Sequence, residues 1–136
     1  MTRTIAVFDD DATILDVMRD ALTEEGYGIV TETTVDDALA IVLRERPALV
    51  ILDFWMADRP AGLQALRLIR EHPKISATPV LICSADRAAL RDYAEDWHAL
   101  GCETLVKPFD LDDLLEQVAR LVDMSRTEYG GAPFGS

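Results

Sequence analysis

Long apolar runs are missing from this chain: no stretch approaches the roughly 20 residues that span a bilayer, and the N-terminus has no basic-then-apolar export signal. Cysteine is scarce, with only Cys83 and Cys102. The pattern below puts Cys83 at the far end of one parallel strand and Cys102 at the near end of the next. At about 3.3 Å per residue that exceeds the ~7 Å Cα limit for a disulfide, so both are read as reduced thiols, and a zinc site is excluded with them. Positive charge is also short: 13 Lys and Arg stand against 25 Asp and Glu, a net charge of -12. Such a surface repels phosphate backbones and anionic headgroups, which argues against nucleic acid and membrane as partners. A soluble, cytoplasmic protein is expected. Repeats and low-complexity tracts are absent, and 136 residues suit one domain with one core.

What the chain has is alternation. Short apolar runs ("TIAVFD", "YGIVTET", "ALVILD", "TPVLICSA", "ETLVKP") are each followed by a segment of helical period, giving five β-α units. In the first helical segment Ile14, Leu15, Met18 and Leu22 form an apolar stripe opposite Asp16, Arg19 and Asp20. "LVIL" and "VLIC" are apolar at every position, as strands covered on both faces must be, so the sheet is expected to be parallel and central. Gly26, Pro47, Pro73 and Gly101 fall where helices should stop, and "DRAALRDYAEDWHALG" reads as one helix. A domain over residues 1–124 is expected, with 125–136 as a flexible tail or a cut linker.

Ligands of an open α/β sheet bind outside the carboxyl ends of its strands. The first strand ends in Asp9 and Asp10, the third in Asp53, the fourth in Ser84, the fifth in Lys107 before Pro108; the second offers only Glu32, which suits a peripheral strand. Three carboxylates on one edge oppose each other, and a hard divalent cation such as magnesium would relieve them. Ser84 and Lys107 then supply a hydroxyl and a cation for the oxygens of a phosphoryl group, with a carboxylate as acceptor.

In "VFDDD", "LVILDFWM", "GLQALRLIR", "VLICSA" and "LVKPF", in that order from about Thr4 to Val122, the chain resembles the response-regulator receiver domain, the CheY-like module of two-component signalling. The resemblance implies a flavodoxin-like (βα)5 doubly wound sheet of five parallel strands in the order 2-1-3-4-5. It implies that Asp53 accepts a phosphoryl group from a phosphohistidine, and that Asp9, Asp10, Asp53 and the backbone carbonyl of Trp55 bind magnesium. Ser84 would be the switch hydroxyl and Lys107 the phosphate's partner, with a cis Lys107-Pro108 bond. Implied partners are a sensor histidine kinase or a histidine phosphotransfer protein, and an effector reading the fourth helix, fifth strand and fifth helix. A homodimer is compatible with the resemblance, though no residue demands one. Whether the chain stands alone or is a piece of a longer regulator is left open.

Asp11 is read as a cap for the first helix, His72 and His98 as surface histidines, and Tyr93 with Trp97 as packing. Three departures from the family pattern stand out. Trp55 replaces the usual polar residue and would shield an acyl phosphate from water. Ala57 replaces a proline in a run to Gly62 that is one residue longer than usual, and Thr104 replaces the usual aromatic three before Lys107. The residues also admit two other readings: a degenerate receiver that binds partners without phosphorylation, and a haloacid-dehalogenase-like phosphatase, whose Asp-x-Asp-x-Thr opening would make Asp9 the nucleophile and Asp11 the acid/base.

Overall fold

The computed structural model describes residues 3–130, with side chains through residue 124. Five strands, β1 (Thr4–Phe8), β2 (Gly28–Glu32), β3 (Leu49–Asp53), β4 (Val80–Ser84) and β5 (Glu103–Val106), form one parallel sheet in the order β2-β1-β3-β4-β5. Six helices connect and cover them: α1 (Ala12–Glu24), α2 (Ala38–Glu45), α3 (Ala61–Glu71), α4 (Arg87–Asp92), α5 (Ala94–Ala99) and α6 (Leu111–Gly130). None of the described helices is long and apolar enough to cross a membrane.

The all-apolar strands sit where the pattern placed them. Every residue of β3 and β4 is buried, whereas the two edge strands β2 and β5 are only partly covered. Side chains alternate across a strand, so each strand feeds both faces. Ile5, Val7, Leu49, Ile51, Leu81 and Cys83 pack against Leu15, Met18 and Leu22 of α1 and Leu114, Val118 and Leu121 of α6. Ala6, Phe8, Val50, Leu52, Val80 and Ile82 meet α2, α3 and the α4–α5 pair on the other side. Both cysteines are free thiols.

Punctuation holds as well. Gly26 and Gly101 adopt positive φ (94° and 62°) just past α1 and α5. The Asp11 carboxylate caps α1 by accepting the Thr13 N–H. His98 is exposed and His72 half-exposed at the end of α3.

Three elements differ from the sequence reading. The fourth helical segment is two helices, broken at Tyr93, whose ring packs on Phe54 (centroids 5.3 Å apart). Trp97, on α5, also packs on Phe54, at 5.6 Å, and its indole N–H donates to the Leu90 carbonyl of α4. Holding the junction residue Tyr93 and Trp97 of α5 on one ring competes with a straight run, and the break results. The second helical segment, which by period starts at Thr34, becomes helix only at Ala38, whose N–H closes a turn onto the Val35 carbonyl at 3.0 Å. The last helix runs past Val122 to Gly130, since no strong breaker stands before the Gly130-Gly131 pair. The tail expected over 125–136 thus overlaps this helix, and residues 131–136 lie outside the described ones.

Candidate phosphoryl-acceptor site

The alternation that builds the core also aims the polar side chains. Asp9, Asp53 and Lys107 each stand two residues beyond Val7, Ile51 and Leu105, all of which pack on the α1/α6 face. The three polar side chains therefore emerge on one side of the carboxyl edge. Backbone bonds carry the sheet's register this far: the Asp9 N–H donates to the Glu32 carbonyl at 3.1 Å, and the Lys107 N–H to the Ser84 carbonyl at 2.8 Å. The Lys107-Pro108 peptide bond is cis.

Lys107 Nζ donates to Asp9 Oδ2 at 2.7 Å and lies 3.4 Å from Asp53 Oδ1. Asp9 is buried, and its other oxygen accepts the Asp11 N–H at 2.9 Å. Asp10 is exposed above them. One carboxylate oxygen from each of Asp9, Asp10 and Asp53 falls within 4.8 Å of the others. These are hard oxygen donors with more negative charge than one lysine offsets. The surplus is visible in Asp53, whose carboxyl is pushed up to about 6, first by burial and then by the charge of Asp9, against the opposing pull of Lys107. In Lys107, burial alone would lower the ammonium, but the Asp9 hydrogen bond and the charges of Asp53 and Asp9 outweigh it and the net shift is upward. A three-carboxylate cluster with one exposed member fits a magnesium ion, which takes oxygen ligands and keeps part of its water.

Ser84 is buried at the end of β4, one residue beyond Cys83, the register partner of Asp53. Its hydroxyl oxygen accepts the Asp86 N–H at 3.0 Å. Trp55 lies two residues past Asp53, half exposed. Its ring stands edge-on to Phe54 (4.9 Å), and its indole N–H donates to Asp86 Oδ2 at 3.1 Å. Ala57 and Asp58 both take positive φ (54° and 58°), between Met56 and Arg59, which exchange two backbone hydrogen bonds of 3.1 and 3.2 Å. The longer loop is thus a tight two-residue hairpin. Thr104 is half-buried in β5, where its carbonyl accepts from Gln117 at 3.4 Å.

Sequence reasoning missed Asp86. It caps α4 through a 3.0 Å bond from the Ala89 N–H while taking the Trp55 indole. An aspartate just ahead of "RAALRD" is an N-cap signal and could have been read as one; its tie to Trp55 has no local signature.

A family model for the response regulator receiver domain matches residues 5–119. The chain belongs to that family. Among relatives of this receiver domain, the nitrogen assimilation regulatory protein NtrX of Azorhizobium caulinodans is 32% identical over 134 residues, covering 93% of the chain but 27% of the relative. The probable transcriptional regulatory protein TcrX of Mycobacterium tuberculosis is 31% identical over 120 residues, covering 88% of the chain and 49% of the relative. The chain thus spans about a quarter to a half of these relatives.

Among solved structures, the signal receiver domain of a putative LuxO repressor protein from Vibrio parahaemolyticus superposes with a TM-score of 0.83 at 26% identity, covering 94% of this chain and 95% of that one. Chemotaxis response regulator CheY4 of Vibrio cholerae gives 0.78 at 24% identity, covering 89% and 99%, a likeness of fold. The phosphatase reading finds its acids otherwise engaged: Asp9 is paired with Lys107, and Asp11 caps α1.

Proposed function

We propose that this receiver domain accepts a phosphoryl group from a phosphohistidine onto Asp53, with magnesium, and signals by changing the surface it offers a partner. The observation that supports this most is the convergence of Asp9, Asp10 and Asp53 beside Lys107 at one strand edge. Asp53 is the acceptor in this reading because Asp9, though also near Lys107, is committed to both that ammonium and the Asp11 N–H.

A carboxylate oxygen of Asp53 attacks phosphorus, the phosphorus–nitrogen bond of the donor breaks, and its electron pair stays on the imidazole. With its carboxyl near 6, Asp53 is ionised at neutral pH yet more basic than an ordinary aspartate, which favours attack. Lys107, held by Asp9, sits within reach of an oxygen on the transferred group. Ser84 takes the Asp86 N–H on its oxygen, which leaves its own O–H to donate to another. Asp9 and Asp10, with Asp53 and the Trp55 carbonyl, would hold magnesium, which when bound neutralises charge developing on the phosphoryl oxygens. Trp55, folded over toward Asp86, would slow attack by water on the acyl phosphate.

The donor would be a sensor histidine kinase or a histidine phosphotransfer protein. The effector would read the face formed by α4 and α5, β5 and α6, the structural counterparts of the sequence's fourth helix, fifth strand and fifth helix. A small phosphodonor tests the chemistry without the natural one. The native protein is expected to take up one phosphoryl group with magnesium and none with a chelator, and Asp53→Asn to take up none under either condition. Uptake that survives Asp53→Asn would contradict the assignment, and no uptake anywhere would favour the phosphorylation-independent binding module.

A further inference from the structure

Asp86 has every polar group committed, and each bond leads to a different part of the molecule. Its N–H goes to the Ser84 hydroxyl at 3.0 Å, and its Oδ1 takes the Ala89 N–H at 3.0 Å. Its Oδ2 takes the Trp55 indole at 3.1 Å, and its carbonyl takes the Leu90 N–H at 3.1 Å. With Trp55 two residues past Asp53, these bonds close a ring from the acceptor loop, through Asp86, to the switch hydroxyl. Beneath it the buried Phe54 carries Trp55, Tyr93 and Trp97 on its ring, at 4.9, 5.3 and 5.6 Å.

The helix hanging from this ring is short. α4 has six residues, too few to be stable on its own propensity, so its cap and its packing decide whether it stays formed. One residue therefore carries both the hold on Ser84, through its backbone N–H, and the start of α4, through its carboxylate.

We propose that Asp86 is a positioning residue latched by Trp55, which carries the state of Asp53 to α4. The latch rests on the function proposed above. When a phosphoryl oxygen draws the Ser84 hydroxyl inward, the Asp86 N–H follows. The carboxylate then turns away from the indole, and the first turn of α4 loosens. This route runs along β3 and β4, so it needs no aromatic at Thr104 on β5.

Magnesium with beryllium fluoride, a stable mimic of the phosphoryl group, tests it by NMR on the native protein, with fluorine signals counting the adduct. As the adduct forms, the Trp55 indole N–H resonance should move, and the Ala89 and Leu90 amides should exchange about fivefold faster, as loss of one ordinary hydrogen bond allows. Trp55→Phe and Asp86→Ser both cut the indole bond while a cap for α4 remains. In each, the same amides should exchange faster before any adduct forms, and the response per mole of adduct should vanish. An adduct that leaves the indole and the α4 amides unmoved overturns the latch alone, as do variants that respond like the native protein. Absence of any adduct overturns the proposed function and the latch together.

Discussion

At the residue scale the site is a contest between burial and charge. Asp53 is raised to about 6, chiefly by burial, so its proton binds the folded chain more tightly than an unfolded aspartate near 3.9. The sign follows: the stabilising contribution is complete below about pH 4 and is lost as pH rises through about 6. In urea titrations of chelator-treated protein, the native chain should lose stability relative to Asp53→Asn between pH 5 and pH 7. Parallel curves would show that Asp53 titrates normally. Lys107 opposes the rise in Asp53 and balances the buried Asp9 at 2.7 Å. Lys107→Met should push the Asp53 carboxyl above about 6 in a carbon-detected NMR titration. It should also cost about 3 kcal/mol of stability at neutral pH, since it leaves a buried carboxylate without its cation.

At the element scale the loop after β3 sets the approach of α3 to Asp53. Gly62 donates its N–H to the Phe54 carbonyl at 3.0 Å, and a Cβ there would overlap the Asp53 carbonyl oxygen. Gly62→Ala should cost about 2 kcal/mol by urea unfolding and slow phosphoryl uptake, because the strand end must shift to make room. A variant as stable and as active as the native chain would contradict that reading. Ala57 is the opposite case, an alanine with φ of 54° in an exposed hairpin. Ala57→Gly should gain about 0.5–1 kcal/mol, the left-handed penalty less the entropy that glycine loses on folding. An unchanged denaturation midpoint would mean that the turn carries no strain.

Elements also mark how far the sequence could be read. The strands and their order of burial were legible because β3 and β4 are apolar at every position before their last residue and the edges are not. The Asp11 cap was legible because capping is local. The break at Tyr93 was not, because "AALRDYAEDW" is helical by period and the interruption is set by Phe54, some forty positions earlier. The Trp55–Asp86 bond was hidden for the same reason, 31 positions apart.

For the whole molecule, a sheet with helices on both faces leaves one edge free for chemistry, and the chain places its opposed carboxylates there. The chain's net charge is -12, and Asp9, Asp10 and Asp53 concentrate negative charge at this edge, where a cation would relieve it. Fold and family do not by themselves say which carboxylate reacts. Borohydride trapping does, since it reduces an aspartyl phosphate to homoserine at the residue that carried it. After treatment with magnesium and a small phosphodonor, homoserine at position 53 alone is the predicted result. Homoserine at position 9, or an untouched chain after confirmed phosphoryl uptake, would contradict the assignment of Asp53 as the acceptor.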